Sequence, residues 1–392
     1  MMVSLFAIYR VLLLYLAGIA AASQFAKIAI PFASFQDLYP DAGSEVGWLL
    51  SLISLVGAVF GIVAGNLVNR LGARRLLLGG LVLGSGLSLW QASIPAFAPM
   101  LISRLLEGGS HLAIVVSAPT LISQLTHPRF MGAAMTLWST FFGVAFAIVA
   151  WIVLPLIGAG SLSALFVGHG VLMLLIAALI VVSVRNPIQS NTTATAARSP
   201  ILELHRRVYS SVKLSGPGLG WLIYTLTFVS IIAVLPAQLP SDVANLAAGL
   251  MPLVSIGVSL FFVPILLRLV SSLLVVALGF ALAAAFIVAN VALDLQLAFA
   301  VGLFAILGLV QGASFAAVPE LNESVPDRAL SYGCLAQTGN IGNLLGTPLL
   351  LFLGRTFGDD ASYLAVAGMY VLGAVLLTGV YRATRELVAK RA

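Results

Sequence analysis

The chain has 392 residues, of which 61% are hydrophobic and 8% charged, whereas an ordinary soluble domain is about 45–50% apolar and about 25% charged. So few charges cannot hydrate a surface of this size, which excludes a water-soluble protein. The formal net charge of +6 is carried by basic residues that punctuate apolar runs, so it marks membrane topology and gives no basic face for nucleic acid.

A spanning helix needs about 20 apolar residues. Hydropathy, broken at charges and at Pro and Gly clusters, predicts spans over 10–34, 46–68, 74–94, 96–124, 130–157 and 160–184. A long polar stretch follows, and then spans over 218–238, 243–267, 271–293, 295–319, 328–353 and 361–384. The expected fold class is all-α integral membrane, with twelve transmembrane helices in two six-helix bundles and no soluble domain. The opening segment has the outline of a signal peptide, but removing it would leave eleven spans and invert the charge asymmetry described next. The first helix is therefore expected to stay.

With both termini cytoplasmic, the inner loops and ends hold every basic residue except Lys27, Arg104 and Arg355. Asp37, Asp41, Glu45, Asp242, Asp294, Asp359 and Asp360 fall outside. This asymmetry predicts a multi-pass protein of a bacterial inner membrane with both ends inside.

The polar stretch divides the chain into an N-terminal bundle (1–184), a cytoplasmic linker (185–217) and a C-terminal bundle (218–392). Leu202 to Val212 within it has the pattern of a short interfacial helix. A weak repeat supports the division. Arg129-Phe130-Met131-Gly132 opens the fifth span and Arg328-Ala329-Leu330-Ser331 the eleventh. Glu107-Gly108-Gly109-Ser110 and Gln311-Gly312-Ala313-Ser314 match in the helices before them.

The loop after the second span reads Gly65-Asn66-Leu67-Val68-Asn69-Arg70-Leu71-Gly72-Ala73-Arg74-Arg75. Gly72 permits a sharp reversal and the arginines sit at the inner headgroups. The loop resembles the signature between helices two and three of the major facilitator superfamily: Gly65, Arg70, Gly72, Arg74 and Arg75 match, while Asn69 stands where that family has Asp. Arg104-Leu105-Leu106-Glu107-Gly108 is similar to its second signature, with Glu107 in the place of Gln. The fifth span carries Gly143 and Pro155 but lacks the Gly-Pro pair that marks many of the family's drug/proton antiporters. Glycines four residues apart, at Gly57, Gly61 and Gly65 and at Gly342 and Gly346, read as close helix packing.

Ionisable groups inside spans are costly, so those present point to function. Arg104, Glu107 and His111 fall on one face of the fourth helix at i, i+3 and i+7. Lys27 and Gln24 lie in the first, where Lys27 either adds a second basic site or snorkels to the outer interface. The C-terminal half offers neutral candidates, Tyr224, Thr227, Gln311, Ser314, Gln337, Asn340 and Asn343. The resemblance implies that the first, fourth, seventh and tenth helices line a central cavity, which would gather Lys27, Arg104, Glu107, His111, Tyr224 and Gln311 around one substrate and proton pathway of net positive charge.

These features predict a secondary transporter working by alternating access on a small polar or anionic solute, with protons as the coupling ion and Glu107 as their carrier. A monomer in the lipid bilayer is expected. No nucleotide loop is present, and neither is a nucleophile-base set. The single cysteine, Cys334, excludes an internal disulfide, and the four histidines show no zinc-type pairing. Neither enzyme activity, a cofactor nor a metal is therefore expected. The alternatives are a proton-driven exporter of amphipathic compounds and a non-transporting receptor or scaffold.

Overall fold

The computed structural model describes residues 5–157, 161–184, 200–293 and 296–389, and among these the only regular structure is helical. Arg185, Arg198, the Ser190–Thr195 stretch, Asp294, Lys390 and Arg391 lie outside the described residues. In hydrocarbon every backbone donor needs a partner within its own segment, which is why long apolar runs become helices.

Two compact units emerge. The first contains α1 (Leu5–Ala29), α2 (Trp48–Leu71), α3 (Ala73–Gln91), α4 (Phe97–Leu125), α6 (Phe141–Ile148) and α7 (Leu162–Ser183). The second contains α5 (Met131–Ser139), α8 (Ile201–Tyr209, entering from His205), α9 (Val212–Val234), α10 (Ser241–Phe261), α11 (Ser272–Leu293), α12 (Gln296–Leu321), α13 (Val325–Phe357) and α14 (Asp359–Ala389).

In the first unit α4 packs on α1, α2 and α3, and α7 on α1 and α3. In the second α12 packs on α9, α10 and α11, and α14 on α9 and α11. The same neighbour relations thus recur in the second unit, with α9, α10, α11, α12 and α14 in the places of α1, α2, α3, α4 and α7.

Nine helices among the described residues are long and apolar enough to cross a membrane, or ten when the bent pair 128–156 counts as one. The third and eleventh expected spans are present as the helices α3 and α13 but fall short in hydropathy. The first begins with Arg74 and Arg75 and carries Ser85, Ser88 and Gln91, while the second carries Gln337, Asn340 and Asn343.

The fifth span is divided. It bends by 41° between Pro128–Ser139 and Phe141–Leu156, and the break separates the two units. At the break the Thr140 amide bonds the Leu137 carbonyl (3.1 Å), one residue tighter than an α-helix. The Ser139 and Thr140 hydroxyls donate to the carbonyls of Thr136 and Leu137 (2.7 and 2.8 Å). Such back-bonding bends helices.

Between α2 and α3 the chain reverses at Gly72, whose φ is +85°, a conformation that penalises any side chain. Arg74 then reaches the end of α7, donating to the carbonyls of Val184 (2.5 Å) and Val181 (2.9 Å), and Arg10 donates to that of Ser183 (2.9 Å). Two cations on the carbonyl end of a helix match its dipole.

Candidate functional site

The first unit contains a polar cluster inside an apolar bundle. Lys27 near the end of α1 is fully buried, as are Arg104 and Glu107 on α4. Arg104 and Glu107 are one turn apart, so both project to the same side. Gly108 lets α2 approach α4, since a Cβ there would lie 2.8 Å from Val56 Cβ.

Glu107 is held from both sides. Lys27 Nζ donates to Oε1 at 2.5 Å, while Arg104 forms an ion pair with Oε2. Gln91 on α3 donates its amide to the same Oε2 (2.9 Å) and to Ser103 Oγ (2.9 Å). The remaining Arg104 nitrogens donate to backbone carbonyls of Leu49 and Gln24, both at 2.8 Å.

Lys27 also donates to Ser88 Oγ (2.5 Å) and Gln91 Oε1 (2.8 Å) on α3, and its ammonium lies 5.1 Å from the Phe166 ring on α7. It therefore does not snorkel. Its position is set by the interior of the unit.

The structure adds residues that sequence reasoning missed. His169 on α7 places Nε2 at 2.9 Å from the Ala20 carbonyl and Nδ1 at 2.7 Å from Ser88 Oγ. Those partners assign a neutral ring with the proton on Nε2, so that Ser88 donates to Nδ1 while accepting from Lys27. Gln24, which the sequence already set beside Lys27, donates to Ser110 Oγ (2.8 Å), leaving its buried Oε1 without a partner.

Of the predicted site, Lys27, Arg104 and Glu107 form one bonded group. His111 lies a turn further along α4, where Nδ1 meets the Ala21 carbonyl at 3.0 Å and the ring packs edge-on against Phe25 at 5.0 Å. Tyr224 and Gln311 belong to the second unit. Tyr224 stacks between Trp221 (4.8 Å) and Phe228 (4.7 Å). Gln311 accepts from Ser255 (2.9 Å) and donates to the Ser139 carbonyl (3.0 Å).

In the loop motif, Asn69 is half-buried at the end of α2, Arg70 and Arg75 are exposed, and Gly65 is buried within α2. Two cations and one carboxylate are thus paired inside an apolar bundle, where unpaired charges are costly. The chain contains no comparable cluster elsewhere among the described residues.

Comparison with known proteins agrees with this architecture. The chain resembles the fucose:proton symporter FucP of E. coli, with a TM-score of 0.75 at 16% identity, over 95% of this chain and 99% of that one. It also resembles the proton:xylose symporter XylE bound to 6-bromo-6-deoxy-D-glucose, with 0.73 at 16% identity over 95% of each chain. The human organic anion transporter MFSD10 gives 0.73 at 16% identity, over 95% of this chain and 99% of the other. Among curated sequences none matches. The family model described as Major Facilitator Superfamily matches residues 12–324, and the chain belongs to that superfamily.

Proposed function

We propose that this transporter moves a small polar or anionic solute by alternating access, driven by a proton gradient, as a monomer of a bacterial inner membrane. In this reading α3 and α13 complete twelve spans, both termini face the cytoplasm, and the chain is organised as the six-helix bundles 1–184 and 218–392. The observation that carries it is the fully buried Lys27–Glu107–Arg104 cluster. A single ionised side chain at mid-bilayer costs roughly 2.5–3.5 kcal/mol even on insertion scales. A chain that needed only to pack would fill these positions with apolar side chains.

The cluster holds two cations and one carboxylate, which supports a solute drawn by positive potential. Both cations have donors committed to Glu107, side-chain oxygens and backbone carbonyls. They therefore act on a solute through their field.

Vesicles containing the purified chain, offered a panel of organic anions, sugars and dyes with and without a pH gradient, test this. Accumulation of an anion or sugar that collapses with the gradient is expected. Movement of dyes alone, or uptake indifferent to the gradient, would overturn the reading.

A further inference from the structure

We infer that the coupling proton is carried by the Lys27 amine and that Glu107 remains a carboxylate throughout the cycle. This rests on the proton-coupled reading above and assigns its carrier.

Arg104 does not release its proton under physiological conditions. Glu107 has both oxygens engaged, Oε1 by Lys27 and Oε2 by Arg104 and Gln91. A proton added there would expel a donor and strand two buried cations without a counter-charge. Removing a proton from Lys27 instead leaves the Arg104–Glu107 pair, which is neutral. Of the changes in proton count open to the three groups, this one lowers the buried net charge.

The groups around Lys27 fit the change. From α3 it meets Ser88 and Gln91, both uncharged, and from α4 Glu107, with Arg104 behind it. From α7 it meets Phe166 and His169, whose Nδ1 lies 3.4 Å from Nζ. On α1 itself Gln24 is the polar neighbour, and His111 is bound to the Ala21 carbonyl. Glu107 is the one buried carboxylate among the described residues.

As an ammonium, Lys27 has three N–H donors for three oxygen acceptors: Ser88, Gln91 and Glu107. As an amine it keeps the bonds to Gln91 and Glu107, and its lone pair faces Ser88. The Ser88 hydroxyl, which points to His169 Nδ1 at 2.7 Å, can turn to donate to Nζ. One N–H bond breaks, the electron pair stays on nitrogen, and the proton passes to water when the helices part. Lys27 thus has a hydrogen-bond partner for each donor and for its lone pair in both states, the amine state giving up the Ser88–His169 bond, whereas Glu107 has one such state. The positive field that draws an anion then exists only while Lys27 is protonated, so releasing the proton also releases the solute.

The chain has three lysines, Lys27, Lys213 and Lys390, which makes the test direct. The full chain is labelled with 15Nζ-lysine, reconstituted in lipid and followed by NMR across pH. The Lys27 signal is the one that Lys27→Met removes, or the one left after Lys213→Arg and Lys390→Arg. Infrared spectra of the same samples report any protonated carboxyl.

The Lys27 signal is expected to pass from ammonium to amine within the pH range over which a gradient drives uptake, with no protonated-carboxyl band that Glu107→Gln deletes. Lys27→Arg, which keeps the charge and cannot release the proton, is expected to lose gradient-driven accumulation. An ammonium signal throughout that range, or a carboxyl band lost in Glu107→Gln, overturns the assignment. If the parent chain shows no gradient-driven uptake, the transport reading falls with it. If uptake is gradient-driven while Lys27 stays charged, only the assignment of the carrier falls.

Discussion

The amide of Gln311 on α12 donates to the backbone carbonyl of Ser139, 3.0 Å away, at the point where the fifth span breaks. This bond supplies a partner for a carbonyl at the bend, and Ser255 holds the amide in place from its other side (2.9 Å). Gln311 is thereby a positioning residue for the broken helix. Gln311→Leu should cost about 1–3 kcal/mol through a buried carbonyl left unpaired. Thermal unfolding in detergent should reveal that loss, and solute exchange should slow more than binding weakens. Unchanged melting would refute the role of the bond.

Glu107→Gln should destabilise the protein by about 3–5 kcal/mol, since it strands Lys27 and Arg104 in the interior. Adding Lys27→Met removes one of the stranded cations and should restore part of the loss. The measurement is yield and melting temperature of the single and double variants. A Glu107→Gln protein as stable as its parent would show that the carboxylate is not the counter-ion.

Gly72→Val places a β-branched residue at φ +85°, a strain of about 1–3 kcal/mol. Turnover should fall well before solute affinity does, because the turn is far from any solute-binding group in sequence and serves the helix ends. Equal losses in rate and affinity would contradict this division.

Reporter tags at Arg198 and at Ala392 should both read cytoplasm, as the distribution of basic residues requires. An external reading from either would overturn the orientation.

Lys27, Arg104 and Glu107 were conspicuous in the sequence because ionised groups stand out in apolar runs. Their pairing partners were harder to see. His169 meets Ser88 from 81 positions away, a relation that no helical period encodes. The available signal was Ser85, Ser88 and Gln91 at three-residue spacing on one helix face. Lys27 left two readings open until the helices were assembled, because its distance from Pro31 and Asp37 suited snorkelling as well as burial. The break in the fifth span left even less trace, for no Pro or Gly stands at Ser139-Thr140. Its cause includes a side chain 172 residues further on. The hydropathy of α3 and α13 is lowered by polar residues, Ser85, Ser88 and Gln91 in one and Gln337, Asn340 and Asn343 in the other, so these two helices pass as spans in a reading by runs and breaks but fall short in mean hydropathy.

Because α5 packs with α10 and α12, severing the chain in the 185–217 region would not yield two self-sufficient fragments. The leading piece would carry Met131–Ser139 with its apolar surface uncovered, and the trailing piece would present α12 with Gln311 lacking its carbonyl. Each fragment made alone should aggregate or be degraded, whereas both made together in one cell should recover a membrane-inserted complex that detergent extracts intact. The covalent connection through the linker would then matter less to assembly than the short helix that one half lends to the other.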